Sequence, residues 1–512
     1  MRKIKDWLLY PYSNCLLFTL LIWVLYSAGA IWHFFETGVY RNCIYIAAIY
    51  YVIVYLISLV VGLFKPISWA LKAIILIVLA IFFNANIFCI RLFKTALTPD
   101  IMAIIRATNY DETKEFFLAY VGVKEILYAV SSGIVIWAIY RADHIVCRYL
   151  QKYAYISKTL IICLIFAVLI GYRNYGMVIS EFDPDVHWIF NAEEVVDLRR
   201  HKTNPIISEI DSIHPSLVVL LVGESFSKNH SSLYGYNKQT NPNLEKLHSD
   251  STLIVFENVV SPEPFTIQAF KYILNDYKKE ESASDTKWYD STTIIEAMSK
   301  VGYYTMWISN QSRTGIYDNL PGGYSRLCDE VYFNSHKGDG KYDGYLLTID
   351  TDTATEAHDK CFIIYHFWGQ HEMFEKRFPE SFKHFTADDY PDYPDSPSIR
   401  AQITADYDNA TLYNDYVASE IINLYKDDDA LVIYFPDHGV NVYDTYNSFG
   451  HAINTVESIE HCKQIPFFVY VSPVLDRKAP NIKRNLLLEK DKAMCTDNLF
   501  DFVLRTAGYA KL

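Results

Sequence analysis

Closely spaced cysteines are missing from the second half of this 512-residue chain: Cys328, Cys361, Cys462 and Cys495 stand far apart, so no disulfide pairing can be read from them. Excess positive charge is missing too. The formal net charge is -13, which argues against a nucleic-acid partner. The segment HEMFE at 371–375 lacks the second histidine of the H-E-x-x-H pattern, which excludes the zinc-protease motif. No small-residue cleavage site followed by a polar start succeeds the first apolar run, so that run reads as an uncleaved anchor rather than a signal peptide.

Long apolar runs are abundant, and almost all precede residue 172. They fall near 13–35, 45–64, 70–90, 123–140 and 157–172, and a bilayer-spanning helix needs roughly 20 residues. Five in succession predict a five-helix transmembrane domain over 1–172. Arg2, Lys3 and Lys5 precede the first run, Lys65 and Lys72 flank the second connection, and Arg141, Arg148, Lys152 and Lys158 crowd the fourth. The positive-inside rule then places the N-terminus in the cytoplasm and everything after residue 172 on the outer face. The third connection, 91–122, carries Pro99 before an apolar pattern with interspersed acids, which predicts amphipathic helices lying on the membrane. Ionisable residues are scarce inside the spans, against a transporter pathway.

After a linker at 173–214, the outer domain at 215–512 alternates strand-like and helix-like segments. LVVLLVGE, TLIVFENVV, YYTMWIS, KCFIIYHFWG, ALVIYFPD and IPFFVYVS are short apolar runs; TTIIEAMSKVG and ADYDNATLYNDYVASEIINLYK read as helices. Such alternation predicts a mainly parallel sheet with helices on both faces and sites at the carboxyl ends of strands. Glu224 ends the first strand, and Asp437-His438 end the strand ALVIYFPDHG. Two carboxylates and an imidazole suit zinc. Thr266, in NVVSPEPFTIQAFKYIL, reads either as a helix N-cap or as a fourth ligand and nucleophile.

The segments GESFSKNHSSLYGYNKQTNPNL, NVVSPEPFT and PDHG, in that order and behind five apolar runs, resemble the phosphoethanolamine transferases, sulfatase-like membrane enzymes of the alkaline phosphatase superfamily. The resemblance covers nearly the whole chain. It implies an α/β sulfatase-like extracytoplasmic domain in the periplasm of a bacterial inner-membrane protein, with Zn2+ held by Glu224, Thr266, Asp437 and His438 and with Thr266 as nucleophile. HFWGQHEMFEKRFP, NSFGHA and ISNQSRTGIYDNLP match the family's phosphate-contacting segments and put substrate-binding roles on His371, His451 and Asn310, with Arg313 beside a position where some members carry lysine. His371, His451 and Arg313 would act as positive donors, whereas His366 reads as structural.

The implied reaction moves phosphoethanolamine from phosphatidylethanolamine in the lipid bilayer to a lipopolysaccharide (lipid A or core) or other envelope glycan, through a covalent threonine intermediate. Pro262 stands where lipid A-modifying members carry a cysteine near the nucleophile, so the chain looks closer to the branch acting on lipopolysaccharide core or glucans. A phosphoglycerol transferase using phosphatidylglycerol is the enzymatic alternative, and a silent receptor or scaffold the non-enzymatic one. A type I sulfatase needs a C/S-x-P-x-R segment, which the sequence lacks.

Overall fold

The computed structural model describes residues 15–36, 40–64, 67–93, 114, 121–150, 205–280, 288–311, 320–334, 342–391, 399–445, 449–450 and 456–511. The chain forms two compact units. In the first, helices α1 (Leu16–Glu36), α2 (Tyr40–Leu63), α3 (Ser68–Phe93) and α4 (Val123–Leu150) coincide with four of the five apolar runs. Ser68–Arg91 and Val123–Asp143 are long and apolar enough to cross a membrane, while Leu16–Ala28 and Tyr50–Val61 are shorter apolar stretches. The run at 157–172 and nearly all of the connection 91–122 lie outside the described residues.

Polar contacts fix how these helices align. Asp143, buried near the end of α4, accepts from Leu17 N at 2.8 Å and Phe18 N at 3.3 Å, satisfying orphan donors in the first turn of α1. Lys72 Nζ, near the start of α3, lies 3.9 Å from the same carboxylate. At the other end of α3, Arg91 pairs with Glu125 at the start of α4 at 3.3 Å and covers the Tyr128 ring. Thus α1 and α3 begin where α4 ends. Ile74, Ile77, Ile81, Ile134 and Trp137 face outward, forming an apolar surface that water would disfavour.

The second unit is built on seven strands: β1 (Leu217–Gly223), β2 (Leu253–Val255), β3 (Tyr304–Ser309), β4 (Glu330–Phe333), β5 (Cys361–His366), β6 (Ala430–Pro436) and β7 (Phe468–Val471). Their order across the sheet is β2-β7-β6-β1-β5-β3-β4. β1 pairs in parallel with β5 and β6, and β3 with β4 and β5. β7 runs antiparallel to both β2 and β6, so the sheet is mixed rather than simply parallel. The chain returns beside β6 from the end that β6 has just reached, without crossing over the sheet.

Side-chain alternation feeds two cores. Val218, Leu220 and Val222 of β1 enter one, and Leu217, Val219 and Leu221 enter the other, so both faces are covered and the strand is buried throughout. The helices used below are α5 (Pro242–Ser249), α6 (Thr266–Ile273), α7 (Ile294–Lys300) and α8 (Ile399–Leu424). A Thr293–Glu296 capping box starts α7. The run TLIVFENVV divides: Leu253–Val255 joins the sheet, and Val259–Val260 pairs with Met494–Cys495. Ile207–Glu209, within the stretch read as linker, pairs with Tyr509–Lys511.

Register brings four strand ends to one edge. Gly223 stands opposite Pro436, Val222 opposite His366, and Ser309 opposite His366. The residues that follow these positions therefore share one face of the molecule, the carboxyl edge where open α/β sheets place their sites.

Candidate active site

β1 must end in glycine: a Cβ at Gly223 would strike the Tyr434 hydroxyl and stand 3.4 Å from Pro436 Cα. Glu224 follows, 2% exposed, and Ser225 takes φ 55°, a left-handed conformation that costs a non-glycine residue free energy. Ser225 Oγ donates to Glu224 Oε1 at 2.8 Å. From β6, Asp437 Oδ1 accepts from His438 N at 2.7 Å and Ser225 N at 3.3 Å. Asp437 Oδ2 is sealed from water without a hydrogen-bond partner.

The imidazole of His438 is oriented by its own loop. Its Nδ1 lies 2.8 Å from Gly439 O, so Nδ1 carries the proton and Nε2 presents a lone pair. That Nε2 lies 3.4 Å from Glu224 Oε1 and 3.5 Å from Asp437 Oδ2. Glu224, Asp437 and His438 each offer one ligand atom, all within 4.8 Å of one another and all buried. Acceptors gathered this closely, with one oxygen unpartnered, fit a bound cation. Burial, then the Asp437 charge, pushes the Glu224 carboxyl up to about 8; burial likewise pushes Asp437 up to about 7 and lowers His438. A cation at this point would relieve both carboxylates.

Thr266 is the first residue of α6, and the helix has no side-chain cap at Phe265. Its hydroxyl instead lies 3.3 Å from Glu224 Oε2 and 3.2 Å from His438 Nε2. The hydroxyl contacts thus lie with Glu224 and His438 rather than at the helix start.

The turn after β5 wraps the Glu224 backbone. Asp343 holds it by accepting from Trp368 N and Gly369 N, each at 2.8 Å, and Gln370 N donates to Glu224 O at 3.0 Å. Gly369 sits at φ 55°, and a Cβ there would lie 2.7 Å from Glu224 O. Gly369→Ala should therefore displace Glu224 and weaken metal binding roughly 10–100-fold. Chelator competition on the folded protein measures this; unchanged affinity would mean that the turn yields and Glu224 does not.

His371 ends the same turn, partly buried, with Nδ1 enclosed and without a partner. Burial first, then the nearby Arg377 and His438, holds its pKa below the ordinary histidine value. Those surroundings favour the neutral ring, where the sequence reading expected a positive one. His366 is buried against Phe270 and Trp307, with Nδ1 3.1 Å from Ser309 Oγ, in keeping with a structural part.

Asn310 is fully buried: its amide donates to Asp343 Oδ1 at 2.7 Å and its oxygen accepts from Asn334 at 2.5 Å. Its neighbour Gln311, not singled out from the sequence, reaches the cluster, with Nε2 3.5 Å from Glu224 Oε2 and 2.9 Å from Phe367 O. Arg313 and His451 lie outside the described residues.

A Sulfatase family model matches residues 216–509, a stretch that contains the whole cluster. The chain belongs to the sulfatase family. This sulfatase-family chain is 26% identical over 403 residues to phosphoethanolamine transferase EptC of Escherichia coli O18:K1:H7, covering 73% of this chain and 69% of the relative. The periplasmic domain of Escherichia coli EptC in complex with Zn superposes with a TM-score of 0.53 at 27% identity, covering 60% of this chain and 86% of that one. The integral membrane lipooligosaccharide phosphoethanolamine transferase A of Neisseria meningitidis shares the fold along 97% of this chain and 96% of its own, with a TM-score of 0.63 at 17% identity. Within the sulfatase family the chain groups with the phosphoethanolamine transferases of the alkaline phosphatase superfamily, and it is an enzyme of that type.

Proposed function

We propose that this enzyme transfers phosphoethanolamine from phosphatidylethanolamine to a lipopolysaccharide or other envelope glycan, by way of a covalent adduct on Thr266. The observation that carries the reading is the Thr266 hydroxyl, turned away from helix capping and set 3.3 Å from Glu224 and 3.2 Å from His438. Glu224, Asp437, His438 and Thr266 would hold Zn2+, which supplies Lewis acidity and lowers the pKa of a bound hydroxyl. The Zn complex of the EptC domain supports that choice of ion.

Thr266 Oγ forms a bond to phosphorus as the bond to the glycerol oxygen breaks, and the hydroxyl proton ends on the departing diacylglycerol. An acceptor oxygen then bonds phosphorus, the Thr266 oxygen leaves, and Thr266 recovers a proton from the acceptor. Neutral His371 donates a hydrogen bond to a phosphoryl oxygen, and Gln311 keeps Glu224 oriented. His451 and Arg313 complete the substrate set by their match to the family's segments, while Asn310, whose amide is taken up by Asp343 and Asn334, acts on the site through Asp343 and the turn it holds.

A lipid donor also accounts for the first unit. Five spans with the N-terminus in the cytoplasm would deliver the catalytic unit to the periplasmic face of the inner membrane, and the shared end of α1, α3 and α4 at Asp143 and Lys72 agrees with that alternation. The deciding experiment gives the full-length protein in detergent phosphatidylethanolamine or phosphatidylglycerol and follows diacylglycerol release together with intact protein mass. A phosphoethanolamine adduct with diacylglycerol release only from phosphatidylethanolamine is the expected result. Cleavage of phosphatidylglycerol alone would establish the phosphoglycerol reading instead.

A further inference from the structure

Four side chains that the mechanism does not use form an ionic chain next to the Glu224 loop, buried at His230, Asp408 and His461 and open to solvent at Asp444. Asp444 meets His230 Nε2 through Oδ1 at 3.2 Å and His461 Nε2 through Oδ2 at 3.0 Å. His230 Nδ1 lies 2.6 Å from Asp408 Oδ1. Both nitrogens of His230 thus face carboxylates, so both carry protons and the ring is an imidazolium. Burial works against that charge, but Asp408 and Asp444 outweigh it and raise the pKa to about 10. His461 differs, because its Nδ1 lies 3.1 Å from Asn229 Nδ2, a donor, which leaves Nε2 as the nitrogen that faces Asp444.

The remaining acceptors are also occupied. Asp408 Oδ2 takes hydroxyls from Tyr236, at 2.8 Å, and from Tyr390. Val442 N donates to Asp444 Oδ2 at 3.0 Å. A chain so fully hydrogen-bonded is rigid, and its members come from segments of unlike origin. His230 lies on the segment that leaves Glu224, Asp444 on the segment that leaves His438, and Asp408 on α8. Beside Asp408, Tyr407 stands edge-on to His230, donates to Ser225 O at 2.8 Å and accepts from Ser227 N at 2.8 Å.

We propose that Asp444 and His230 are a positioning pair, fastening the loop that follows Glu224 to the loop that follows His438 so that the metal ligands stand at binding distance. The proposal rests on the metal reading given above. Main-chain contact joins the two loops at their bases, where Asp437 N donates to Gly223 O at 3.1 Å. The ionic chain joins them further out. Ligand distances in metal sites hold to within about 0.2 Å, and a second tie further out narrows the freedom that the contacts at the bases leave. Tyr407 carries the restraint back to the residue next to Glu224.

The test uses the full-length protein in detergent and Asp444→Asn, which keeps the side-chain size and removes the charge. Two readouts are taken: zinc affinity by chelator competition, and amide hydrogen exchange of residues 225–231 in metal-free protein. The pairing predicts zinc affinity lower by roughly 10–100-fold and faster exchange in that segment. A purely structural role would lower thermal stability yet leave the affinity of the folded protein unchanged, and that result overturns the proposal. If Asp444→Asn does not fold, Tyr407→Phe removes a single hydroxyl and decides by the same readouts, with wild-type affinity and exchange again overturning it. If the wild type itself binds no zinc, the metal reading fails, and amide exchange alone still decides whether the pair restrains the loop.

Discussion

Thr266→Ala should leave a folded, metal-binding protein that turns over no donor lipid, with kcat lower by on the order of 10^4-fold or more, as when other covalent nucleophiles are removed. The fold tolerates the change because the hydroxyl makes no cap: α6 begins without a side-chain hydrogen bond at Phe265, and alanine is a good residue for a first turn. The cluster keeps Glu224, Asp437 and His438, each with its own loop contacts, so three of the four ligands stay in place. What disappears is the only atom proposed to bond phosphorus. Diacylglycerol release should fall to background, and intact mass should show no adduct. An alanine variant that still gains phosphoethanolamine mass would move the nucleophile elsewhere and sink the assignment.

Removing the metal should abolish activity completely and leave a protein whose stability runs against the usual carboxylate trend. Glu224 and Asp437 are pushed up to about 8 and about 7, against ordinary values of 4.5 and 3.8. In the unfolded chain both carboxyls release their protons near pH 4; in the folded, metal-free protein they hold them until pH 7–8. Between those limits the folded state binds more protons, so raising the pH favours unfolding. Metal-free protein should therefore melt at progressively lower temperature as pH rises through that window. Metal competes with these same protons, so its affinity should rise over the same window and its addition should restore the melting temperature most at the alkaline end. Melting curves of both forms across the window check this, and a metal-free melting temperature that is flat or rising would contradict the assigned burial of the pair.

The cluster of Glu224, Asp437 and His438 was legible in the sequence because its two acids follow short, wholly apolar strands: LVVLLVG breaks at Glu224 and ALVIYFP breaks at Asp437. Strand direction was not legible. FVYV reads the same whether it runs with β6 or against it, and only the return path from Asp437 to Phe468 makes β7 antiparallel. β4, four half-buried residues, was too short to stand out. Asn310 and Gln311 show how a shift of one residue changes what a side chain reaches. Consecutive side chains leave a strand end on opposite sides, so with Asn310 turned to Asp343 and Asn334, Gln311 is the one that faces Glu224. The chain of His230, Asp408, Asp444 and His461 left no local signature, since His230 stands 178 residues from Asp408 and 214 from Asp444.

The pairing of β1 with β6 has a consequence for how the molecule is made. Ser225 and Asp437, in contact across that seam, are separated by 212 residues of chain. Contacts between such distant partners form slowly, because the entropy of closing the intervening chain is lost before any contact rewards it. No nascent fragment that stops short of β6 contains both Glu224 and Asp437. A metal ion held by these residues would therefore not template the domain as zinc does a small finger; it would enter only after β1 and β6 have paired.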